Sequence, residues 1–317
     1  MDAPLFLVAD VGGTNTRVAL ARGLDVETGS VRRFPNRDFA DLAPLLRRYR
    51  ADLGGPDPDG ACVAVAGPVA DGVGALTNID WSIDTARLCE ATGARAGAIL
   101  NDLQAQGHAL GHLDAGSVQP VVDAPSRPDA ARLVVGVGTG FNAAAVHVTP
   151  TGRLVPASES GHASLPTRTE ADMRLSAYVS AAHGFPSVED VLSGRGLERV
   201  YAWLASEAGV EGGRGAAEIM ATVRTDPRAE AAVRVFVRVL GAVAGDLSLV
   251  HLPFGGIYLV GGVARAMGPH LAGAGFAEAF RDKGRFSTFM ANFAVHLVED
   301  DFAALKGCAA HLAEHAA

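Results

Sequence analysis

Apolar and polar positions fall in blocks along the chain, and the blocks predict a mixed α/β protein. Leu5 to Asp10 is an apolar run closed by an acid, and Thr16 to Ala21 is a second apolar run. Both read as buried strands. The few residues between them are rich in glycine and small polar side chains, so the pair reads as a hairpin. A phosphate-binding P-loop or a dinucleotide-binding turn runs from strand into helix. Here the residues after the glycines, TRVALA, return as strand, and neither GxxxxGK[ST] nor GxGxxG is present. Asp38 to Tyr49 puts Phe39, Leu42, Leu45 and Leu46 on one helical face, with Pro44 best suited to a first turn. Gly54 to Gly60 is a loop. Ala61 to Val69 is a buried strand ending in Gly-Pro. Ala96 to Leu100 is a short strand that runs into Asn101-Asp102 and then a helix over 103–110.

The second half repeats the opening. After a turn or linker at Asp123 to Arg132, the run Leu133 to Val148 matches it in pattern: Leu7 to Asn15 aligns with Leu133 to Phe141, strand and Gly/Thr turn leading into a second strand. The copies differ at one place, where Asp10 in the first is Gly136 in the second. Ala229 to Val250 reads as a long helix. Gly255 to Met267 reads as turn, buried strand, Gly-Gly turn and helix start, and Asp301 to Glu314 as a last helix with one apolar face.

Composition narrows the class. A chain of 317 residues with 49% apolar and 20% charged residues can bury two cores and is not disordered. The net charge of −8 and scattered Lys and Arg argue against nucleic acid, though not against phosphate held by backbone N–H groups and a metal ion. Cys62, Cys89 and Cys308 form no CxxC pair and no metal spacing, which favours a reducing compartment. No signal peptide is evident, and the apolar stretch Leu247 to Ala264 is broken by His251, Pro253 and Gly-Gly pairs. The expectation is a soluble cytoplasmic protein with no membrane partner.

Eight segments stand in one order: ADVGGTNTR, AGPV with TNIDW, LNDLQAQ, GVGTG, ESGH, VLSGRGL, GGIYLVGGV and KGRF. In that order, over nearly the whole length, the chain resembles the bacterial glucokinases of the hexokinase-type sugar kinase superfamily, in the branch without structural zinc. The resemblance implies an actin-like ATPase (ribonuclease H-like) α/β fold of two domains with a cleft between them. The expected domains are 1–103, rejoined by helix 301–317, and 104–300, closing on sugar. It implies ATP-dependent phosphorylation of glucose at the 6-hydroxyl in glycolysis, with ATP and Mg²⁺, by a homodimer.

The resemblance also assigns residues. Backbone N–H groups from Gly12, Gly13, Thr14 and Asn15 would cradle the β/γ-phosphates, with Asp10 approaching Mg²⁺ through water. Gly138, Thr139 and Gly140 would form the second phosphate loop. Asp102 would be the general base for the sugar hydroxyl, and Asn101 would bond another hydroxyl, although Asn-Asp at that junction is also a common helix N-cap. Glu159, His162 and Glu189 would complete the sugar pocket, and Gly261-Gly262 would let the backbone approach the adenosine. Two places depart from the family's usual pattern: Phe141-Asn142 stand where a small apolar residue and glycine are common, and Ser160 where glycine or alanine is usual.

Two rival readings stay open. One is a kinase for mannose, fructose or N-acetylglucosamine. The other is a sugar sensor without useful turnover, although the first core strand starts too early for the helix-turn-helix such sensors carry. An acetate-kinase or polyphosphate-hydrolysing relative would share the fold but give no reason for NDLQAQ and ESGH together.

Overall fold

The opening apolar run folds as β1 (Leu5–Val11) and returns as β2 (Asn15–Arg22), with Asp10 opposite Arg17. The computed structural model describes residues 3–76 and 79–315, so Thr77 and Asn78 of TNIDW lie outside the described residues. Strands β3 (Asp25–Val26) and β4 (Arg32–Pro35) extend the edge beside β2. Helix α1 (Leu42–Leu53) follows, then β5 (Gly60–Val65), parallel to β1. The expected helix start at Asp38 moves to Leu42. Asp41 caps it by accepting the Leu42 N–H at 2.7 Å, and Pro44 falls in the first turn, where no intrahelical N–H is lost. The expected strand over 61–69 stops at Val65. Val69–Ala70 forms β6 of a small sheet with β7 (Val73–Ala75) and β8 (Ser82–Asp84). Helix α2 (Thr85–Thr92), β9 (Ala96–Asn101) and α3 (Asp102–Ala109) complete this stretch, with β9 parallel to β5.

The period of two in β1 sorts its side chains onto two cores. Leu7, Ala9 and Val11 pack with Leu45, Leu46 and Leu88 of α1 and α2. Phe6 and Val8 face the other way, onto Leu305, Cys308 and Leu312 of the last helix, α10 (Ala303–His315). The first compact unit comprises Met1–Ser117, Val146–Ala157 and Asp300–Ala317. It keeps residues 104–117 and takes in 146–157, which the sequence reading assigned to the other half. The physical reason is that Ala105 of α3 shares the core of α10, so α3 cannot leave the unit that α10 joins.

A polar cluster seals that helix pair. His108 Nε2 lies 3.3 Å from His311 Nδ1, and His108 Nδ1 lies 3.4 Å from Glu314 Oε2. Burial, with His108 and His315 nearby, lowers the His311 pKa to about 4. Burial alone would push the Glu314 carboxyl up. Hydrogen bonds from His108 and the Arg153 N–H, with the Arg153 charge, outweigh it and hold Glu314 at about 2.

The second unit is Val118–Ala145 with Ser158–Glu299. Its strands are β10 (Val118–Val122), β11 (Arg132–Val137), the first half of β12 (Phe141–Thr149), β14 (Ile257–Val260) and β15 (Val295–Val298), in the order β10-β15-β14-β11-β12. Beyond Ala145, residues 147–149 of β12 pair with β13 (Gly152–Leu154) within the first unit. Helices α4 (Glu170–His183), α5 (Gly194–Glu207), α6 (Ala216–Thr222), α7 (Pro227–His251), α8 (Gly262–Leu271) and α9 (Phe276–Arg281) cover the second sheet. Helix α7 supplies the centre of this core, with Phe236, Val237 and Leu240 packed among Phe276, Phe280 and Trp203. The repeat read from sequence is matched strand for strand: β1 ends at Val11 and β11 at Val137, while β2 begins at Asn15 and β12 at Phe141.

Among the described residues, no helix is long and apolar enough to cross a membrane.

Candidate functional site

In the first unit the parallel register gathers the candidate residues at one edge of the sheet. Val11, Val65 and Asn101 lie side by side on β1, β5 and β9. The hairpin tip Gly12–Thr14, the turn at Gly67 and the pair Asn101-Asp102 therefore leave the carboxyl ends of three adjacent strands. Open parallel sheets bind ligands at such an edge. Asp10 and Leu100 stand two strands apart, about 10 Å.

The tip of this hairpin is held from below. Gly12 N–H donates to Asn15 O at 3.0 Å. Asn36, buried, donates from Nδ2 to Gly12 O at 2.7 Å and from its backbone N–H to Thr14 O at 2.9 Å, while its Oδ1 accepts from the Thr16 hydroxyl. With the Gly12 and Thr14 carbonyls tied down, the tip leaves Thr14 exposed. Asp10 Oδ2 lies 3.2 Å from Arg17 Nη2. Burial pushes the Asp10 carboxyl up, and Arg17 offsets only part of that. A hard oxygen donor with incomplete charge compensation fits a Mg²⁺ ion that keeps several waters and is shared with substrate phosphates. Among the described residues, no group of three or more His, Cys, Asp or Glu side chains is arranged to hold a metal.

Asn101 is the N-cap of α3. Its Oδ1 accepts the Leu103 N–H at 3.0 Å and the Gln104 N–H, Gln104 Oε1 accepts the Asn101 N–H at 3.0 Å, and Asn101 Nδ2 donates to Gly67 O at 2.9 Å. With both oxygen lone pairs used by the capping box, one amide hydrogen is left for a ligand. Asp102 begins α3 and is exposed, with Oδ1 accepting the Leu103 N–H at 2.8 Å.

The second unit brings its own set together. Gly138–Gly140 is the tip between β11 and β12, with Gly138 N–H bonded to Gly140 O at 2.9 Å and Gly138 O accepting the Gly194 N–H at 2.9 Å. Glu189 reaches this tip: its Oε2 accepts the Phe141 N–H at 2.9 Å, and its own N–H donates to Gly161 O at 2.9 Å. Glu189 is thus a strut between the hairpin and the ESGH turn. Glu159 precedes and His162 ends a 3₁₀ turn at Ser160–His162, and both are exposed. Gly261 has φ +102°, and a Cβ there would stand 2.4 Å from Val137 O. It is glycine because β14 ends against β11, a packing reason that does not depend on a nucleotide. Gly262 has open space above it.

The structure adds residues that sequence reasoning missed. Asn36 and Arg17 support the first hairpin. Arg17 stood in the motif ADVGGTNTR, two-fold strand pairing with Asp10 being its signal, while Asn36 had none. The two departures at Asn142 and Ser160 meet: Ser160 Oγ and N–H both donate to Asn142 Oδ1 at 3.0 Å.

A family model described as Glucokinase matches residues 7–315. The glucokinase of Chromobacterium violaceum is 34% identical over 98% of this chain and 90% of its own length. Among solved structures, a glucokinase from an Antarctic psychrotroph superposes with a TM-score of 0.88 at 32% identity, covering 99% of each chain. A glucokinase from Balamuthia mandrillaris, solved in complex with glucose, superposes with a TM-score of 0.80 at 23% identity, covering 96% of this chain and 92% of that one.

Proposed function

The chain belongs to the glucokinase family, as an ATP-dependent glucose kinase, and on that premise we propose how its residues divide the work. Asp102 is the general base. It takes the proton of the sugar 6-hydroxyl as the oxygen–phosphorus bond forms, which is a matter of position more than of basicity. Asn101 offers its remaining amide hydrogen to a neighbouring hydroxyl, and Glu159, His162 and Glu189 bond the others. A pocket of such groups rejects sugars that leave them unpaired.

Backbone N–H groups of Gly13, Thr14 and Asn15 and of Thr139 and Gly140 receive the phosphates, whereas those expected from Gly12 and Gly138 are held inside their own hairpins, and Gly261-Gly262 lies against the nucleoside. Mg²⁺, when bound near Asp10, neutralises phosphate charge. The remaining elements of this reading are a cytoplasmic homodimer acting in glycolysis.

The observation that carries the reading is the strand register. It sets an exposed carboxylate, Asp102, at the same sheet edge as a glycine hairpin whose carbonyls are tied down. The test is ADP release with Mg·ATP over glucose, mannose, fructose and N-acetylglucosamine. Glucose is expected to give the highest kcat/KM. A higher value for another hexose would reassign the substrate, and glucose binding without ADP release would replace the kinase with a sensor.

A further inference from the structure

Asn142 is the second residue of β12, and its side-chain amide is engaged at both ends by the chain's ESGH turn. Nδ2 donates to Ser158 O. Oδ1 accepts the Ser160 N–H at 3.0 Å, the Ser160 hydroxyl at 3.0 Å and the Ala143 N–H at 2.8 Å. Two backbone N–H groups on one end and a carbonyl on the other fix which end is oxygen.

The residue between the two anchored positions is Glu159, whose side chain makes no capping bond and is exposed. One position on, Gly161 is pressed against the start of the same strand: a Cβ there would stand 2.0 Å from Phe141 O. The turn is therefore bolted to β12 on both sides of Glu159, and the bolt consists of the two residues, Asn142 and Ser160, at which the chain departs from the glycine-rich pattern. Two glycines could make none of the side-chain bonds.

We propose that Asn142, together with Ser160, is a positioning pair that fixes the direction of Glu159 and His162 toward the sugar and so sets hexose selectivity. The proposal rests on the reading of Glu159 as a sugar-binding residue. Neither Asn142 nor Ser160 needs to touch the sugar; they restrict the rotation of the turn that does. The selectivity of the pocket then depends on a coupled pair outside the ligand shell.

The experiment is steady-state kinetics of N142A, N142D, S160A, the double variant N142A/S160A and, separately, E159A, with glucose and mannose, alongside thermal melts. N142A is expected to raise the glucose KM about tenfold, the size of losing a positioned hydrogen bond. The KM for ATP should stay unchanged, and the preference for glucose over mannose should narrow. N142D keeps the acceptor for Ser160 but loses the donor to Ser158 O, and should recover only part of the loss. S160A should cost less, and the double variant no more than N142A alone, because the two residues act through one contact.

A role confined to stability would lower the melting temperature and the active fraction without moving KM or selectivity, and that result overturns the proposal. If E159A raises the glucose KM while N142A and S160A leave KM and selectivity unchanged, the positioning role fails and the sugar-site reading stands. If E159A leaves KM unchanged, the sugar-site reading itself fails. Should N142A not fold, S160A and N142D decide by the same criteria.

Discussion

At the tip of the first hairpin, Gly12 to Thr14, the backbone is held by Asn36 from the loop after β4, and the strand beneath carries the acid Asp10 one residue before its end, paired with Arg17. At the tip of the second, Gly138 to Gly140, the backbone is held by Gly194 and Glu189, and the matched strand position is Gly136. The two tips have the same length and the same strand ends, so the repeated unit fixes a backbone shape. The acids differ in origin. The first hairpin carries its carboxylate in the strand, half-buried and short of compensation. The second receives one from a later segment, and one of its oxygens is already engaged by the Phe141 N–H. A carboxylate with uncompensated burial is suited to a cation and its phosphates; a carboxylate bonded to the scaffold is suited to shaping a pocket.

The largest expected effect separates the two hairpins directly. Asp10→Asn should lower kcat by roughly 10²–10³-fold, the scale for losing one charge-stabilising group. It should not lower the melting temperature at neutral pH. Burial raises the Asp10 pKa, so the ionised form is disfavoured in the fold, and a neutral amide removes that cost. A lower melting temperature with normal kcat would make Asp10 a structural ion-pair partner of Arg17.

Gly261→Ala should destabilise the second unit by roughly 1–3 kcal/mol from the left-handed backbone alone, with the clash against Val137 O adding to it, as read by urea unfolding.

Acid should cost on the order of 2 kcal/mol through the polar cluster of the first unit. His311 sits at about 4 in the fold against 6.5 free, so below pH 6.5 the unfolded chain takes up the proton more readily and stability falls toward pH 4. Glu314, at about 2 against 4.5, gives stability that is present above pH 4.5 and lost toward pH 2. His296 in the second unit, lowered by burial, adds to the loss with the same sign. Melting temperatures of His311→Gln across pH 4–7 should fall less steeply than those of the parent.

The smallest effect is expected at the tip that has space. A Cβ on Gly138 meets nothing within 4 Å, and the residue lacks the positive φ of Gly261. Gly138→Ala should therefore leave the melting temperature unchanged while raising the KM for Mg·ATP a few-fold, about 1 kcal/mol of binding. Equal loss of stability in Gly138→Ala and Gly261→Ala would erase the distinction between a ligand-facing and a packing glycine.

Much of this was legible in the chain because it is local. The two hairpins, the strand-to-helix junction at Asn101-Asp102 and the long helix α7 follow from periodicity and from where glycines fall. The cap at Asn101, weighed against a sugar contact, is present in full, and the side chain still retains capacity for one ligand bond. What stayed illegible depends on contacts far apart in sequence. Asn36 reaches Gly12 across 24 positions, and Glu189 reaches Phe141 across 48; neither spacing carries a periodic signal. Asn142 and Ser160 were each visible as unusual, but their hydrogen bonds to one another were not. The unit boundary moved because α3 is an apolar partner of α10, a pairing that links residues 105 and 308 through one core.

The central claim is that Asp102 is the base, and the most direct measurement is kcat for ADP release by Asp102→Asn with saturating glucose and Mg·ATP. The account predicts a fall of about 10²–10⁴-fold, the worth of a positioned base, with glucose KM and melting temperature little changed. Turnover close to that of the parent would contradict it and leave Asp102 as a first-turn residue of α3 and nothing more.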